Sequence, residues 1–233
     1  MRRRVPNSLL VTGRTRGEQT KAAIIDAALA LFTERGFDAT TMRAIAESAG
    51  VSLGNAYYYF RSKDELVQGF YDRTAVEHGE RLPEVLDGLD GLADRLTAHL
   101  DLWFELMAPQ HPFAVGFFRN AADPASPLSP FSAASAPART AAIELMERVV
   151  EDAAPPVPAT VRAQLPEVLW LYHMGVVLFW VHDRSVEQAA TRLLVRRTAP
   201  MIERVVALAD LPALQATIVD LTTLLADLKA MAG

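Results

Sequence analysis

The stretch that most limits how this chain can fold is 20–66, where three helical patterns follow one another with very short connections. Between Ile24 and Phe32, apolar residues recur at spacings of three and four, which is the apolar stripe of a helix. The segments 42–49 and 53–60 repeat this spacing, and only Gly50-Val51-Ser52 separates them. Two short helices joined by a tight turn predict a helix-turn-helix.

The ends of these helices follow from capping residues. We expect Thr20 to cap the first helix, Gly36 to end it and Ser52 to cap the third. Ser62 and Glu65 have the spacing of a capping box, so a fourth helix should begin there and run to about residue 80. At about 100° per residue, the third helix has two faces. Its inner face is predicted to hold Leu53, Ala56, Tyr57 and Phe60, and its outer face Gly54, Asn55, Tyr58 and Tyr59.

Charge is divided unevenly along the chain. The net charge is −5, yet the residues up to Lys63 include ten basic and five acidic side chains, which leaves −10 for the rest. A basic head suits a polyanion such as DNA, because contacts to phosphate supply much of the affinity for nucleic acid. The basic arm 1–17 is predicted to be a flexible tail, with minor-groove binding as the alternative.

The sequence "AALALFTERGFDATTMRAIAESAGVSLGNAYYYFRSKDEL" resembles the DNA-binding domain of the TetR/AcrR family of bacterial transcriptional regulators. The features that carry the resemblance are Gly36-Phe37, Thr40-Thr41, Ile45-Ala46, Ala49 to Ser52, Gly54, Tyr57, Phe60 and Lys63. The resemblance implies a three-helix DNA-binding head at 18–66 and an effector-binding and dimerisation domain at 81–233. It also implies a palindromic operator, two protomers and a small-molecule effector.

Roles in DNA binding can be assigned within the head. Gly54 lets the backbone approach the major groove, Asn55 can hydrogen-bond a base edge, and Leu53 can touch a thymine methyl group. Tyr57 is expected to pack partly inward with its hydroxyl toward phosphate, and the other outer-face aromatics are expected to meet the groove wall. These are Tyr58 and Tyr59. Residues at the starts of helices should hold the DNA backbone. They are Thr41, Arg43, Ser52 and Lys63, with a base contact as a further role for Arg43.

The remainder of the chain is predicted to be helical. No stretch alternates with period two for long, so we expect no sheet and an all-α fold. The predicted body helices are 92–107, 112–122, 138–153, 160–182, 186–209 and 212–230. The segment 123–137 is rich in proline and serine and is predicted to be a loop, either a lid or disordered.

Aromatic residues and methionines are concentrated in this body, as in an apolar ligand pocket or an ordinary core. Family resemblance implies that some of them line a site for a small apolar or amphipathic effector. The nominated lining is Trp103, Met107, Phe117, Arg119, Asn120, Trp170, His173 and Met174. Dimerisation is expected through 160–182 and 186–209, because the first of these segments is apolar around its circumference and needs cover on two sides.

Other classes of protein fit the sequence less well. The chain has no cysteine, no His-x-x-x-His pair and no Gly-x-Ser-x-Gly motif, so we expect no cofactor, no metal and no enzyme activity. The longest apolar run, 168–181, is shorter than the roughly 20 residues that span a bilayer. The absence of an apolar leader predicts a cytoplasmic protein. Two alternatives stay open: an architectural DNA-binding protein without ligand, and a helical enzyme with an aromatic pocket.

Overall fold

The structure, a computed structural model, describes residues 15–232, and for Phe117 and ten residues of the last helix it describes only the backbone. The described residues form eleven α-helices. These are α1 (Arg16–Arg35), α2 (Met42–Ser48), α3 (Leu53–Tyr59), α4 (Lys63–Leu86), α5 (Leu92–Met107), α6 (His111–Ala121), α7 (Ala136–Glu151), α8 (Ala159–Arg162), α9 (Leu165–His182), α10 (Ala189–Ala207) and α11 (Pro212–Ala232). Residues 15–232 contain no strand, so the all-α prediction is confirmed.

Most helix ends lie close to the predicted ones, but two expectations are wrong. The N-cap of α1 is Thr15, which forms a capping box with Glu18. Thr20 lies inside the helix and donates its hydroxyl to the Arg16 carbonyl. The predicted helix 160–182 is divided into α8 and α9, because a new helix begins with a proline in its first turn, Pro166.

The chain divides into two compact units, one up to Val67 and one from Gln68 onward. In the first unit, α2 packs against α1 and α3. Its core is built from the apolar stripes that the sequence shows, and Ile24, Ile45 and Ala56 are completely buried. Gly50, at φ 67°, makes the left-handed turn that separates α2 from α3.

In the second unit, α5 packs against α7 and α10, and α7 packs against α9. Leu96, Leu100 and Phe104 of α5 are almost fully buried, as the three- and four-residue spacing of the helix requires. Arg95 is also buried, and its guanidinium donates to the carbonyls of Leu89, Arg148 and Val149. This charged side chain therefore holds the end of α7 against the start of α5.

Asp183 fixes the corner between α9 and α10. Its carboxylate accepts hydrogen bonds from the amide and hydroxyl of Ser185 at 2.9 and 2.6 Å, and from those of Thr191 at 2.8 and 2.6 Å. Burial raises the pKa of Asp183, but these four hydrogen bonds outweigh burial and lower the pKa to about 2. The corner is therefore held by an ionised carboxylate.

Candidate nucleic-acid interface and ligand cavity

Helix α3 presents one buried and one exposed side within the head. Ser52 caps it, because its Oγ accepts a hydrogen bond from the Asn55 amide at 3.1 Å. Ala56 and Phe60 are buried, whereas Gly54 and Asn55 are exposed. The exposed side therefore combines a position without a side chain and an amide that can pair with a base edge.

The three tyrosines of α3 lie in different environments. Tyr58 is 81% exposed and Tyr57 is 47% exposed, so both rings are available on the surface of the head. Tyr59 is half-buried, and its side chain reaches Gly17 at the start of α1. Its hydroxyl lies 3.5 Å from the point that a Cβ would occupy if Gly17 carried a side chain. The expectation that Tyr59 shares the outer face with Tyr58 therefore differs from the structure, which turns Tyr59 toward α1.

The residues predicted to hold phosphates lie at helix starts, but they also have structural partners. The Oγ1 of Thr41 caps α2 by accepting from the Ala44 amide, and Arg43 is exposed in the first turn. Lys63 is half-buried, and its Nζ donates to the Phe37 carbonyl at 2.5 Å and lies 4.4 Å from the centre of the Phe37 ring. Lys63 thus joins the start of α4 to the connection between α1 and α2.

The basic character of the head is concentrated at its beginning. Four of the ten basic residues up to Lys63 precede residue 15, and the basic arm therefore lies largely outside the described residues. From residue 15 to Lys63 the chain carries six basic and five acidic side chains. The described part of the head is therefore close to neutral, and Arg16, Arg43 and Lys63 are the basic residues in the first turns of its helices.

The second unit encloses a cavity of about 620 Å³ between α4, α5, α6, α7 and α9. Its wall is mostly apolar and contains all three tryptophans of the chain, Trp103, Trp170 and Trp180. One side is closed by residues 128–131, which belong to the segment between α6 and α7. A cavity with apolar walls and few polar groups is typical of a site for a small molecule.

The segment that closes the cavity is held by hydrogen bonds. Gln68 donates to the Pro127 carbonyl at 2.9 Å, and Arg139 donates to the Pro130 carbonyl at 2.6 Å. Leu128 and Ser129 are buried. Residues 128–131 of the segment 123–137 therefore form part of the cavity wall, and a lid and a disordered segment both stay predictions.

Three histidines form a buried cluster in the cavity wall. The rings of His78 and His99 stack with centroids 4.5 Å apart, and His173 meets His99 edge-on at 5.6 Å. All three are at most 4% exposed. Within the described part of the chain, both ring nitrogens of His99 and His173 and the Nε2 of His78 have no hydrogen-bond partner.

Burial keeps these rings neutral. It lowers the pKa of His78 to about 4, although a hydrogen bond with the backbone of His99 opposes the shift. Burial also lowers the pKa of His173 to about 3 and that of His99 well below its usual value, and the neighbouring histidines add to both shifts. Among the described residues, no group of three or more histidine and acidic side chains has the geometry to hold a metal ion.

Family models match both units. The model "Bacterial regulatory proteins, tetR family" matches residues 24–69, and "Tetracyclin repressor-like, C-terminal domain" matches residues 95–225, which is more than half of the chain. The protein belongs to the TetR family. The resemblance seen in the head therefore extends to the body, where the cavity lies.

Curated relatives of this TetR-family chain match only part of it. The probable HTH-type transcriptional regulator ArpR of Pseudomonas putida is 39% identical over 92 residues, which cover 39% of this chain and 44% of ArpR. The HTH-type transcriptional repressor KstR2 of Rhodococcus jostii is 39% identical over 104 residues, which cover 43% of this chain and 48% of KstR2. The chain thus spans less than half the length of these relatives.

Solved structures of TetR-family proteins share the fold over most of the chain. A regulator from Streptomyces coelicolor has a TM-score of 0.59 at 22% identity and covers 91% of this chain and 98% of its own. FadR of Bacillus subtilis, solved in complex with stearoyl-CoA, has a TM-score of 0.60 at 18% identity, with 76% of this chain and 96% of its own covered. At these identities the similarity concerns the fold.

Five of the eight residues nominated for the TetR-family ligand site line the cavity: Trp103, Met107, Trp170, His173 and Met174. The structure does not bring Arg119 and Asn120 to the cavity wall, because α6 turns Ala114, Phe118 and Ala121 toward the cavity and leaves Arg119 exposed. These inward positions are four and three residues apart, as one helix face requires. The side chain of Phe117 lies outside the described residues.

Sequence reasoning missed the other two histidines of the cluster. His78 and His99 lie on different helices, and they were considered only for metal-ligand spacing. A usable signal was present, because His99 occupies the apolar stripe of α5 between Leu96 and Trp103. A histidine in an apolar stripe is a candidate for a buried polar group in a core or a cavity.

Helices α9 and α10 carry apolar side chains that their own unit does not cover. On α9 and on α10 these residues recur at spacings close to those of one helix face. They are Val168, Leu171, Leu178 and Phe179 on α9, Leu193, Met201 and Val205 on α10, and Leu208 directly after α10, all at least 38% exposed. Helix α9 is also apolar and long enough to span a membrane, but it packs against α6, α7 and α10. Those contacts are typical of a core helix.

Proposed function

We propose that this protein is a homodimeric, ligand-regulated transcription factor of the cytoplasm, a repressor that covers a palindromic operator. The observation that carries the proposal is the exposed side of α3, where Gly54 and Asn55 lie beside Tyr58 on a helix-turn-helix. Thr41, Arg43, Ser52 and Lys63 would hold the phosphates on either side, and Tyr57 would add its hydroxyl. The names of relatives such as the repressor KstR2 support this function.

Regulation by a small molecule is supported by the cavity and by its relation to α4. Helix α4 begins in the head at Lys63, and its later residues, including Tyr71 and His78, belong to the cavity wall. A ligand that favours another position of α4 would move the start of the same helix. The FadR structure, solved in complex with stearoyl-CoA, supports the idea that a protein of this fold binds a ligand.

The test of DNA binding uses the purified protein, its own upstream intergenic DNA and a scrambled duplex of equal length. Fluorescence anisotropy over a salt series should show selective binding with two protomers per site and a steep loss of affinity with salt. Equally weak binding to both duplexes, together with equally weak binding to a library of genomic fragments, would refute the proposal. Selective binding that no small molecule changes would favour the architectural alternative.

Dimerisation is proposed through the exposed apolar face of α9 and α10. A face of this kind is normally covered in a soluble protein, and a second copy would cover both helices at once. Phe179→Glu should therefore convert the dimer to a monomer in light scattering, because it places a charge in an apolar interface. Val76→Glu is the matched control, since Val76 is 61% exposed on α4 and should leave the dimer intact. A dimer that survives Phe179→Glu would contradict this interface.

A further inference from the structure

The unpartnered nitrogens of the histidine cluster need an explanation, because buried polar groups in proteins are nearly always hydrogen-bonded. His99 and His173 each leave both ring nitrogens without a partner among the described residues, and the indole nitrogen of Trp180 is also unpartnered. The side chains that bear these atoms belong to the wall of one cavity. This polar group of residues is the clearest chemical feature of an otherwise apolar site.

Rotation of a histidine ring about its Cβ–Cγ bond can turn a nitrogen toward the cavity, because this torsion has a broad energy minimum. A neutral imidazole has one nitrogen that donates and one that accepts, whereas an indole nitrogen only donates. The cluster therefore offers both donors and acceptors. A group that does both, such as a hydroxyl or a carboxamide, would satisfy more of these atoms than an ether would.

Among the described residues, the charges around the cavity give a cationic ligand no counter-ion, and they give an anionic ligand only the guanidinium of Arg139. No aspartate or glutamate is among the described residues of its wall, so a bound ammonium group would have no counter-ion. The wall contains one arginine, Arg139, whose guanidinium donates to the carbonyls of Pro130 and Ser132. The histidine rings lie where burial opposes positive charge, so they would not supply a cation for a carboxylate.

We propose that the cavity binds a neutral, mainly apolar molecule with one hydroxyl or carboxamide group, which is hydrogen-bonded by His99 and His173. The cavity volume of about 620 Å³ fits a molecule of drug-like size, and the tryptophans surround its apolar part. Trp103 and Trp180 are each in edge contact with a neighbouring ring of this site. The inference rests on the proposed function in that it names the class of effector.

Intrinsic tryptophan fluorescence provides the test, because all three tryptophans of the chain line the cavity. The full-length protein is titrated, without DNA, with four probes of equal chain length: a medium-chain primary alcohol, its methyl ether, the fatty acid anion and the alkylammonium ion. The alcohol should bind best, and the ether should bind roughly tenfold more weakly because it cannot donate a hydrogen bond. Tightest binding of either ion would overturn the proposal.

Variants test whether the histidine cluster causes the preference for the alcohol over the ether. His173→Phe should make the alcohol and the ether bind alike, whereas His173→Gln, which keeps a donor and an acceptor, should retain the preference. Tyr172→Phe is the matched control, since Tyr172 precedes His173 on α9, is hydrogen-bonded to Thr198 and is not among the described residues of the cavity wall, so it should preserve the order of the four probes. Uniform weakening of all probes in His173→Phe would reduce His173 to a packing residue and overturn the proposal.

Two further outcomes are distinct. A fluorescence change with Zn²⁺ alone that His173→Phe abolishes would make the cluster a metal site and overturn the proposal. Because no DNA is present, the result is independent of the operator experiment. Selective DNA binding without an alcohol preference would disprove the ligand class but leave the regulator standing. An alcohol preference without DNA binding would support the ligand class but disprove the regulator.

Discussion

The residues on the exposed surface of α3 differ in the part of DNA that each can recognise. Asn55 carries the only side-chain amide of the helix, and a planar amide can both donate to and accept from an adenine edge. The hydroxyls of Tyr57 and Tyr58 rotate freely and suit phosphate or sugar contacts, which position the protein but carry no sequence information. Specificity should therefore depend on Asn55 more than on the tyrosines.

Asn55→Ala should relax sequence preference by roughly 1 to 3 kcal/mol, measured as the difference in binding free energy between operator and random DNA. Lys63→Ala is the contrasting variant. As a phosphate contact it should weaken binding to both duplexes alike and flatten the salt slope by about one unit. Equal losses on both duplexes for Asn55→Ala would refute base reading, and an unchanged slope for Lys63→Ala would leave Lys63 with only its contact to Phe37.

At the scale of helices, apolar periodicity predicted which segments are helical better than it predicted where each helix begins and ends. The apolar stripe of α1 starts at Ile24, so periodicity does not mark the polar first turns, and the Thr15–Glu18 capping box was the signal that was overlooked. The division between α8 and α9 was marked by Pro166. Five cavity residues were predicted because aromatics lie close together in sequence, whereas His78 meets His99 only where α4 lies against α5.

The corner between α9 and α10 is the element that one substitution should disturb most. Asp183→Ala should lower the free energy of unfolding by roughly 3 kcal/mol, because it leaves the completely buried Thr191 without its acceptor. Asp183→Asn should recover part of the loss, since an amide keeps one acceptor oxygen. The measurement is urea unfolding followed by circular dichroism.

Asp210→Ala is the matched control for this corner. Asp210 is exposed and accepts one hydrogen bond from Thr160 at 3.0 Å, so its loss should change stability by less than about 0.5 kcal/mol. Equal effects of the two alanine substitutions would show that the four hydrogen bonds of Asp183 do not stabilise the corner.

At the scale of the whole molecule, the histidine cluster in the cavity wall should also lower stability in acid. If the second unit served only for dimerisation, it would not need a buried histidine cluster whose ring nitrogens lack hydrogen-bond partners among the described residues. Its rings lie among α4, α5 and α9, and two of these helices have other proposed tasks, since α4 continues into the head and α9 carries part of the apolar face. Protonation of the cluster and binding of a ligand should therefore act on the same helices.

The sign of the pH dependence follows from the lowered pKa values. The unfolded chain binds protons at its histidines below about pH 6.5, whereas His78 and His173 of the folded chain bind them only near pH 4 and pH 3. The free energy of unfolding should therefore fall as the pH drops below 6.5 and level off near the folded values. At pH 5, each ring that stays neutral should account for a loss of about 2 kcal/mol.

Urea unfolding at pH 7 and pH 5 measures this loss, and His173→Phe should make it smaller by about 2 kcal/mol because one titrating ring is removed. Met174→Leu should leave the difference between the two pH values unchanged, since neither side chain titrates. A neutral alcohol bound at the cluster should add the same increment at both pH values as long as the rings stay neutral. An unchanged pH difference in His173→Phe would mean that His173 is protonated as easily in the folded protein as in the unfolded chain.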